Sequence, residues 1–266
     1  MGKNLYKMFY KDYFQGIDFS FLLDGMNNAQ KEEIVKKNKV KLSERNKDIL
    51  SVPLANIPPC KRSNCNFPMK VQYPGLLTGI GLTHEANVEG EFKLGIHLDY
   101  ITGMPIIYGS TIKGICRAAF EEPDYIQSLF EKHHIVPVDI DELIKDIFDG
   151  LERDPEHDDK QARTKAYKCK SIYKRDVFFD AVIQKTDSKG RILCADYITP
   201  HAKDVLKDPV PISFVKIAPG CIMEFRFRLT DSLLTKENKL DLLYDILCDF
   251  GIGAKTAVGY GNIVPV

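Results

Sequence analysis

Near the start of the chain, LYKMFYKDYF places Leu5, Met8, Phe9 and Tyr13 on one stripe at helical spacing. Residues 29–50, rich in lysine and glutamate, continue as a second helical segment. SVPLANIPPCKRSNCNFPMK is punctuated by proline and apolar only in patches, which predicts an extended connector. From Tyr73 the pattern shortens. LLTGIGLTH and FKLGIHLDY predict strands, weakened by the interior glycines Gly79, Gly81 and Gly95. MPIIYG leads into a helix that starts at Ser110 and Thr111 and runs to about Glu121, with Ile112, Ile115, Cys116 and Ala119 inward. Two more helices follow, over 124–132 and from Asp139, where Asp139 and Glu142 have capping-box spacing.

Strand patterns then return. DVFFDAVIQ and RILCADYIT around KTDSKG predict one β-hairpin, and PISFVKIA and CIMEFRFRL around Pro219 and Gly220 a second. Met223, Phe225, Phe227 and Leu229 alternate with Glu224, Arg226 and Arg228, a half-buried strand with a basic outer face. A helix over 237–249 packs Leu240, Leu243, Tyr244 and Leu247 and stops at Gly251, and GYGNIVPV makes a short last strand. Prominent hairpins without regular βαβ repetition predict an α+β fold with a mostly antiparallel sheet. The organisation read from this texture is a helical extension and connector over 1–70, then a main domain over 71–266. A helical, charged segment is inserted in that domain at about 120–175.

Composition changes this picture little. At 44 % hydrophobic and 28 % charged residues the chain has the balance of a folded domain, not of a disordered one. No apolar run approaches the roughly 20 residues that span a bilayer, and the N-terminus lacks a signal-peptide core, so a cytoplasmic protein is expected, without a membrane partner. The seven cysteines are scattered, and only Cys60 and Cys65 lie close, so neither a zinc site nor a disulfide framework is expected. No metal and no cofactor is called for. A net charge of zero argues against nucleic-acid binding by bulk electrostatics, yet the charge is segregated: residues 139–159 are acidic and 160–175 basic.

Two segments carry candidate chemistry. GIGAKTAVGYG holds Gly251, Gly253, Gly259 and Gly261, which allow close backbone approach, with Lys255 and Thr256 supplying a cation and a hydroxyl. It is not a phosphate-binding P-loop, because Ala254 stands directly before the lysine and the order is helix, loop, strand. In YGSTIKGICR, the helix start at Gly109, Ser110 and Thr111 presents unpaired N–H groups. Lys113 and Arg117, four apart, are read as one basic edge near that N-terminal end. A phosphate backbone suits both segments; a plain turn and a plain capped helix are the structural alternatives. Of the histidines, His84 follows a glycine-rich stretch without HExxH spacing. His97 alternates with Asp99 as a hydrogen-bonded pair, and His201 reads as a strand-end corner.

Together, YGSTIKGICR and GIGAKTAVGYG resemble the RAMP superfamily of CRISPR-associated RNA-binding proteins. LLTGIGLTHEANVEG and the stretch from FFDAVIQ through ADYITPHAKDVLKDPVPISFVKIAPGCIMEFRF sharpen the likeness, towards the family of the sixth subunit of the type III-B Cmr effector. The resemblance spans most of 75–266 and departs at Ala202, where a second histidine often follows His201. It implies a ferredoxin-like (RRM-like) core and a structural, non-catalytic role. The implied partners are the guide CRISPR RNA towards its 3′ end, target RNA near it, and other Cmr subunits. The glycine-rich loop and the helix start would contact the guide backbone. The alternative is a metal-independent endoribonuclease with His84 or His97 as base.

Overall fold

The computed structural model describes residues 3–79, 84, 86, 88–158, 166–199 and 211–266. Helix α1 (Leu5–Tyr10) turns Leu5 and Phe9 into the core, and α2 (Asn28–Leu50) starts at a capping box closed by Asn27 and Gln30. Tyr13, just past α1, donates its hydroxyl to Asn46 Oδ1 at 2.7 Å and accepts from the Phe92 N–H at 2.7 Å. Leu5, Phe9, Leu42 and Ile49 share one continuous core with Phe92, Ile96 and the sheet. The helical period of the first fifty residues therefore buries its apolar face against the rest of the chain.

The remaining elements are β1 (Cys65–Val71), β2 (Ile106–Ile107), α3 (Gly109–Ala119), α4 (Pro123–Lys132), α5 (Ile140–Leu143), β3 (Leu151–Arg153), β4 (Tyr167–Cys169), β5 (Val177–Phe178), β6 (Ala181–Lys185), β7 (Leu193–Ile198), β8 (Ile212–Ile217), β9 (Ile222–Arg228), α6 (Lys236–Phe250) and β10 (Ile263–Pro265). The main sheet runs β10-β1-β9-β6-β2, with β5 also on β9, and every pairing is antiparallel. Taken as β1-α3-β6 and β9-α6-β10, this is the split βαβ arrangement of a ferredoxin-like core. Met223, Phe225 and Phe227 of β9 are buried, as the alternation predicts, but Arg226 is buried as well and pairs with Glu224, so the expected basic outer face is partly covered.

Strand β1 emerges from the proline-punctuated stretch read as connector. Cys65, Phe67, Met69 and Val71 point inward in strict alternation, a period that Pro68 masks. Pro68 is tolerated because β10 pairs with β1 only from Met69 to Val71, so it lies where that partner has ended.

Both predicted hairpins contain real strands with the wrong partners. β6 pairs with β9, and β7 pairs with β8 from Leu193↔Ile217 to Ile198↔Ile212. The four strands form one ribbon, whose outer part lies in the main sheet and whose inner part is a separate two-stranded sheet. The turn-rich KTDSKG is a local turn, held by the Asp187 carboxylate on the N–H groups of Lys189 and Arg191, that offsets β6 from β7. Turn chemistry marked the bends but could not say which strands would meet.

Residues 80–83 of the first stretch read as a strand lie outside the described residues; among the described residues of 76–84 and 92–100, the pairings are isolated bridges, Leu76↔Ile217, Leu94↔Phe214 and Leu98↔Pro105. The Asp139 carboxylate accepts from the N–H groups of Asp141 and Glu142, as its cap position predicts, and the helix then widens into a π-helical turn over Ile144–Asp149.

The acidic and basic runs fold onto each other. β3 pairs with β4, Lys170 pairs with Asp146 and Lys168 lies 3.9 Å from Asp154, while within the acidic run Arg153 meets Glu142 at 3.1 Å and Asp158 at 2.6 Å. No helix among the described residues is long and apolar enough to cross a membrane.

Candidate nucleic-acid interface

The glycine-rich turn is built by contacts that only glycine permits. Gly251, with φ +67°, ends α6, and its N–H bonds to Leu247. A Cβ on Gly251 would stand 2.8 Å from the Gly261 carbonyl oxygen, and one on Gly253, φ +97°, 2.5 Å from that of Leu77. Backbone bonds then stitch the turn: Ala254 N–H to Leu77 O at 2.8 Å, Ile252 N–H to Gly261 O at 2.9 Å, and Gly261 N–H to Gly75 O at 2.9 Å. The close backbone approach predicted from sequence is thus made to the chain's own 75–77 segment. Lys255, at φ +62°, is half-buried, and Thr256 is exposed at the tip.

The helix start is partly taken as well. Gly109 donates its N–H to Asp180 Oδ1 at 2.8 Å, so a carboxylate of the protein already uses the N-terminal field of α3. A side chain at Gly109 would collide with the Phe178 carbonyl. Ser110 is exposed, while Thr111 and Lys113 are half-buried. Arg117 lies in the last turn of α3, about 12 Å along the axis from Gly109, instead of near the N-terminal end. It pairs there with Asp149 at 2.5 Å, a partly exposed contact of little energetic weight.

The two segments meet through residues 75–79. Leu77 holds the glycine-rich turn, Thr78 Oγ1 accepts the His97 N–H at 2.9 Å, and Gly79 leaves room for the His97 ring. That ring lies 4.3 Å from the ring of Tyr108, the N-cap residue of α3. Sequence reasoning missed Leu77, Thr78, Tyr108 and Asp180, whose proximity depends on long-range packing. The pattern YG before the predicted helix start was the available sign for Tyr108.

The histidines divide clearly. His84 is buried, stacked 4.5 Å from Phe9 and 4.4 Å from Tyr13, with Nε2 2.9 Å from the Phe9 carbonyl oxygen. Burial pulls its pKa below the ordinary imidazole value. His97 is half-buried and shifted the same way by burial. Its expected partner Asp99 instead accepts from the N–H groups of Ile101 and Thr102 and from Thr102 Oγ1, closing a turn of its own. His201 lies outside the described residues. Among the described residues, no group of three or more His, Cys, Asp or Glu could hold a metal ion.

An antiparallel sheet ordered as a split βαβ pair, with a glycine-rich turn between the last helix and the last strand, defines a ferredoxin-like α+β protein. A family model described as the RAMP superfamily matches residues 69–264, and the chain belongs to that superfamily. Among solved structures it is similar to a chain of the type III-B Cmr-beta particle bound to cognate target RNA. That likeness has 17 % identity and a TM-score of 0.57, and covers 98 % of this chain and 84 % of the other. It is also similar to Cmr6 from Pyrococcus furiosus, with 24 % identity and a TM-score of 0.41, over 76 % of this chain and 97 % of that one. No curated protein matches.

Proposed function

We propose that the chain is a non-catalytic, RNA-holding subunit of a type III-B CRISPR effector, in the place of the sixth Cmr subunit. Its partners would be the guide CRISPR RNA towards the 3′ end, neighbouring Cmr subunits, and target RNA near the guide. The observation that carries this reading is the RAMP family match over 69–264, which encloses both the α3 start and the glycine-rich turn. The contacts would come from Ser110, Thr111 and Lys113 on one side and Lys255 and Thr256 on the other. The glycines hold the turn in shape. Lys113 and Lys255 have no ion-pair partner among the described residues, which suits both to contact phosphate.

The test is guide occupancy in the purified complex. Replacing Lys113 and Lys255 together with alanine should lower it several-fold and flatten its salt dependence by about two phosphate contacts. Unchanged occupancy would sink the proposal. Arg117→Ala, measured separately, should change less, because Asp149 already engages that side chain.

One observation keeps an endoribonuclease reading alive: His97 Nδ1 is buried without a hydrogen-bond partner, beside the start of α3. Incubating the purified chain with single-stranded and repeat RNA, with and without metal, decides between the readings. Cleavage abolished by His97→Ala would replace the structural role.

A further inference from the structure

A second cationic surface lies on the sheet, away from the glycine-rich turn. Arg62, Ile172, Tyr173, Val177, Phe179 and Arg228 line an open groove of about 520 Å³, within the roughly 300–1,000 Å³ of ligand sites. Both walls are pinned. On one side, Asn64 fixes the turn that carries Arg62, bonding the Phe227 carbonyl through its N–H at 2.9 Å and exchanging side-chain bonds with Leu229 at 2.8 and 2.9 Å. On the other, the short turn Ile172–Lys174 is held by Thr230 Oγ1, which donates to the Lys174 carbonyl at 3.0 Å, and by Arg228 Nη2, which donates to the Ile172 carbonyl at 3.1 Å.

This rigid frame displays what a folded surface ordinarily hides. Tyr173 is 81 % exposed and Ile172 67 % exposed. Among the described residues, no carboxylate lines the groove. Neither Arg62 nor Arg228 has an ion-pair partner among the described residues, and Arg228 Nε is an unmatched buried donor. Lys61 and Lys174, the chain neighbours of Arg62 and Tyr173, are exposed and add to the positive field. Phe179, which lines the groove, directly precedes Asp180, the acceptor of the Gly109 N–H at the start of α3.

We propose that this groove binds a nucleotide of single-stranded RNA, its base against Tyr173 and Phe179 and its phosphate between Arg62 and Arg228. Exposed aromatic faces beside unneutralised guanidinium groups are the combination that holds a single strand without reading its sequence. A duplex keeps its bases stacked and offers no face to Tyr173. The proposal rests on the RNA-holding reading above and extends it to a second, base-stacking contact.

The test titrates the full chain at low salt with labelled decauridylate and with an abasic strand of equal phosphate count. Decauridylate should bind more tightly, and Tyr173→Ala should remove about tenfold of affinity and close the gap between the two strands. Arg62→Glu should weaken both strands alike. Both residues are exposed, so an unchanged circular dichroism melt confirms that each variant is folded.

Equal binding of the two strands by the unaltered chain, or no decauridylate binding at all, overturns the stacking site. So does loss only in the Lys113 and Lys255 variant, which would leave the RNA-holding reading standing. Groove variants that bind RNA normally but fail to assemble with neighbouring subunits would make the groove a protein interface and overturn the proposal as well. Guide occupancy in the complex tests the broader reading independently.

Discussion

His84 stacks between Phe9 and Tyr13, and its Nε2 faces the Phe9 carbonyl 2.9 Å away. Its buried, stacked environment favours the uncharged ring and joins α1 to the rest of the core. The energetic consequence is a pH dependence of stability. Burial lowers the folded pKa of His84, and of His97, below the unfolded value, so the unfolded chain binds more protons in that window. Stability is then full above about pH 6.5 and falls as pH drops towards the folded values. Thermal melts between neutral and mildly acidic pH should show this slope, and His84→Phe should reduce it. His84→Ala should also cost about 2–4 kcal/mol through the cavity and the unpaired carbonyl, measurable by urea unfolding. A pH-independent midpoint, or a variant as stable as the parent, would contradict the core role.

The glycine-rich turn is the element whose geometry most constrains its residues. Gly253 and Gly259 both have positive φ, +97° and +94°, so alanine strains either one. They differ in what a methyl group would meet. At Gly253 it stands 2.5 Å from the Leu77 carbonyl oxygen, whereas at Gly259 the nearest atom is Pro74 Cδ at 3.7 Å. Gly259→Ala should therefore cost about 1–2 kcal/mol, the conformational penalty alone. Gly253→Ala should cost at least about 1–3 kcal/mol more, because backbone must shift against backbone. Urea midpoints of the two variants check this; equal losses would mean that the turn is not fastened to the 75–77 segment. The same fastening places Lys255 and Thr256 on a fixed support, which suits a phosphate contact that must not pay for ordering.

Across the whole molecule, a buried group of charges ties Asp146 and Lys170 to α6 and the core. Lys239 of α6, fully buried, meets Asp176 at 2.7 Å and Asp146 at 3.3 Å, and Lys170 pairs with Asp146 from the other side. Ser232 and the Thr230 carbonyl complete the shell around the Lys239 ammonium, each at 2.7–2.8 Å. Two cations and two anions satisfy one another, and removing one leaves an uncompensated charge away from water. Lys239→Ala should cost about 3–5 kcal/mol and loosen residues around 140–175, seen as faster amide exchange there than in the sheet. Exchange unchanged in that segment would show that its attachment lies elsewhere. Among the described residues, Lys170 and Asp146 thus spend opposite charges of the basic and acidic runs on each other inside the fold.

Local periodicity and turn chemistry were enough to read α1, α2, α4, α6, the strand alternation of β9 and the glycine cap at Gly251. Each depends on residues within a turn or two of one another, where backbone sterics and side-chain spacing decide the outcome. Family-specific patterns at 108–117 and 251–261 pointed to the superfamily. Which strands pair was not legible: β6 with β9 and β7 with β8 follow from cross-strand burial over tens of residues, which flanking turns do not encode. Nor could sequence show that Asp180 would occupy the start of α3, that Asp149 would engage Arg117, or that Arg62 and Tyr173 would share a groove. A side chain's charge and shape are set by its identity, but whether it is spent inside the fold or left for a ligand depends on which distant partner the packing brings to it.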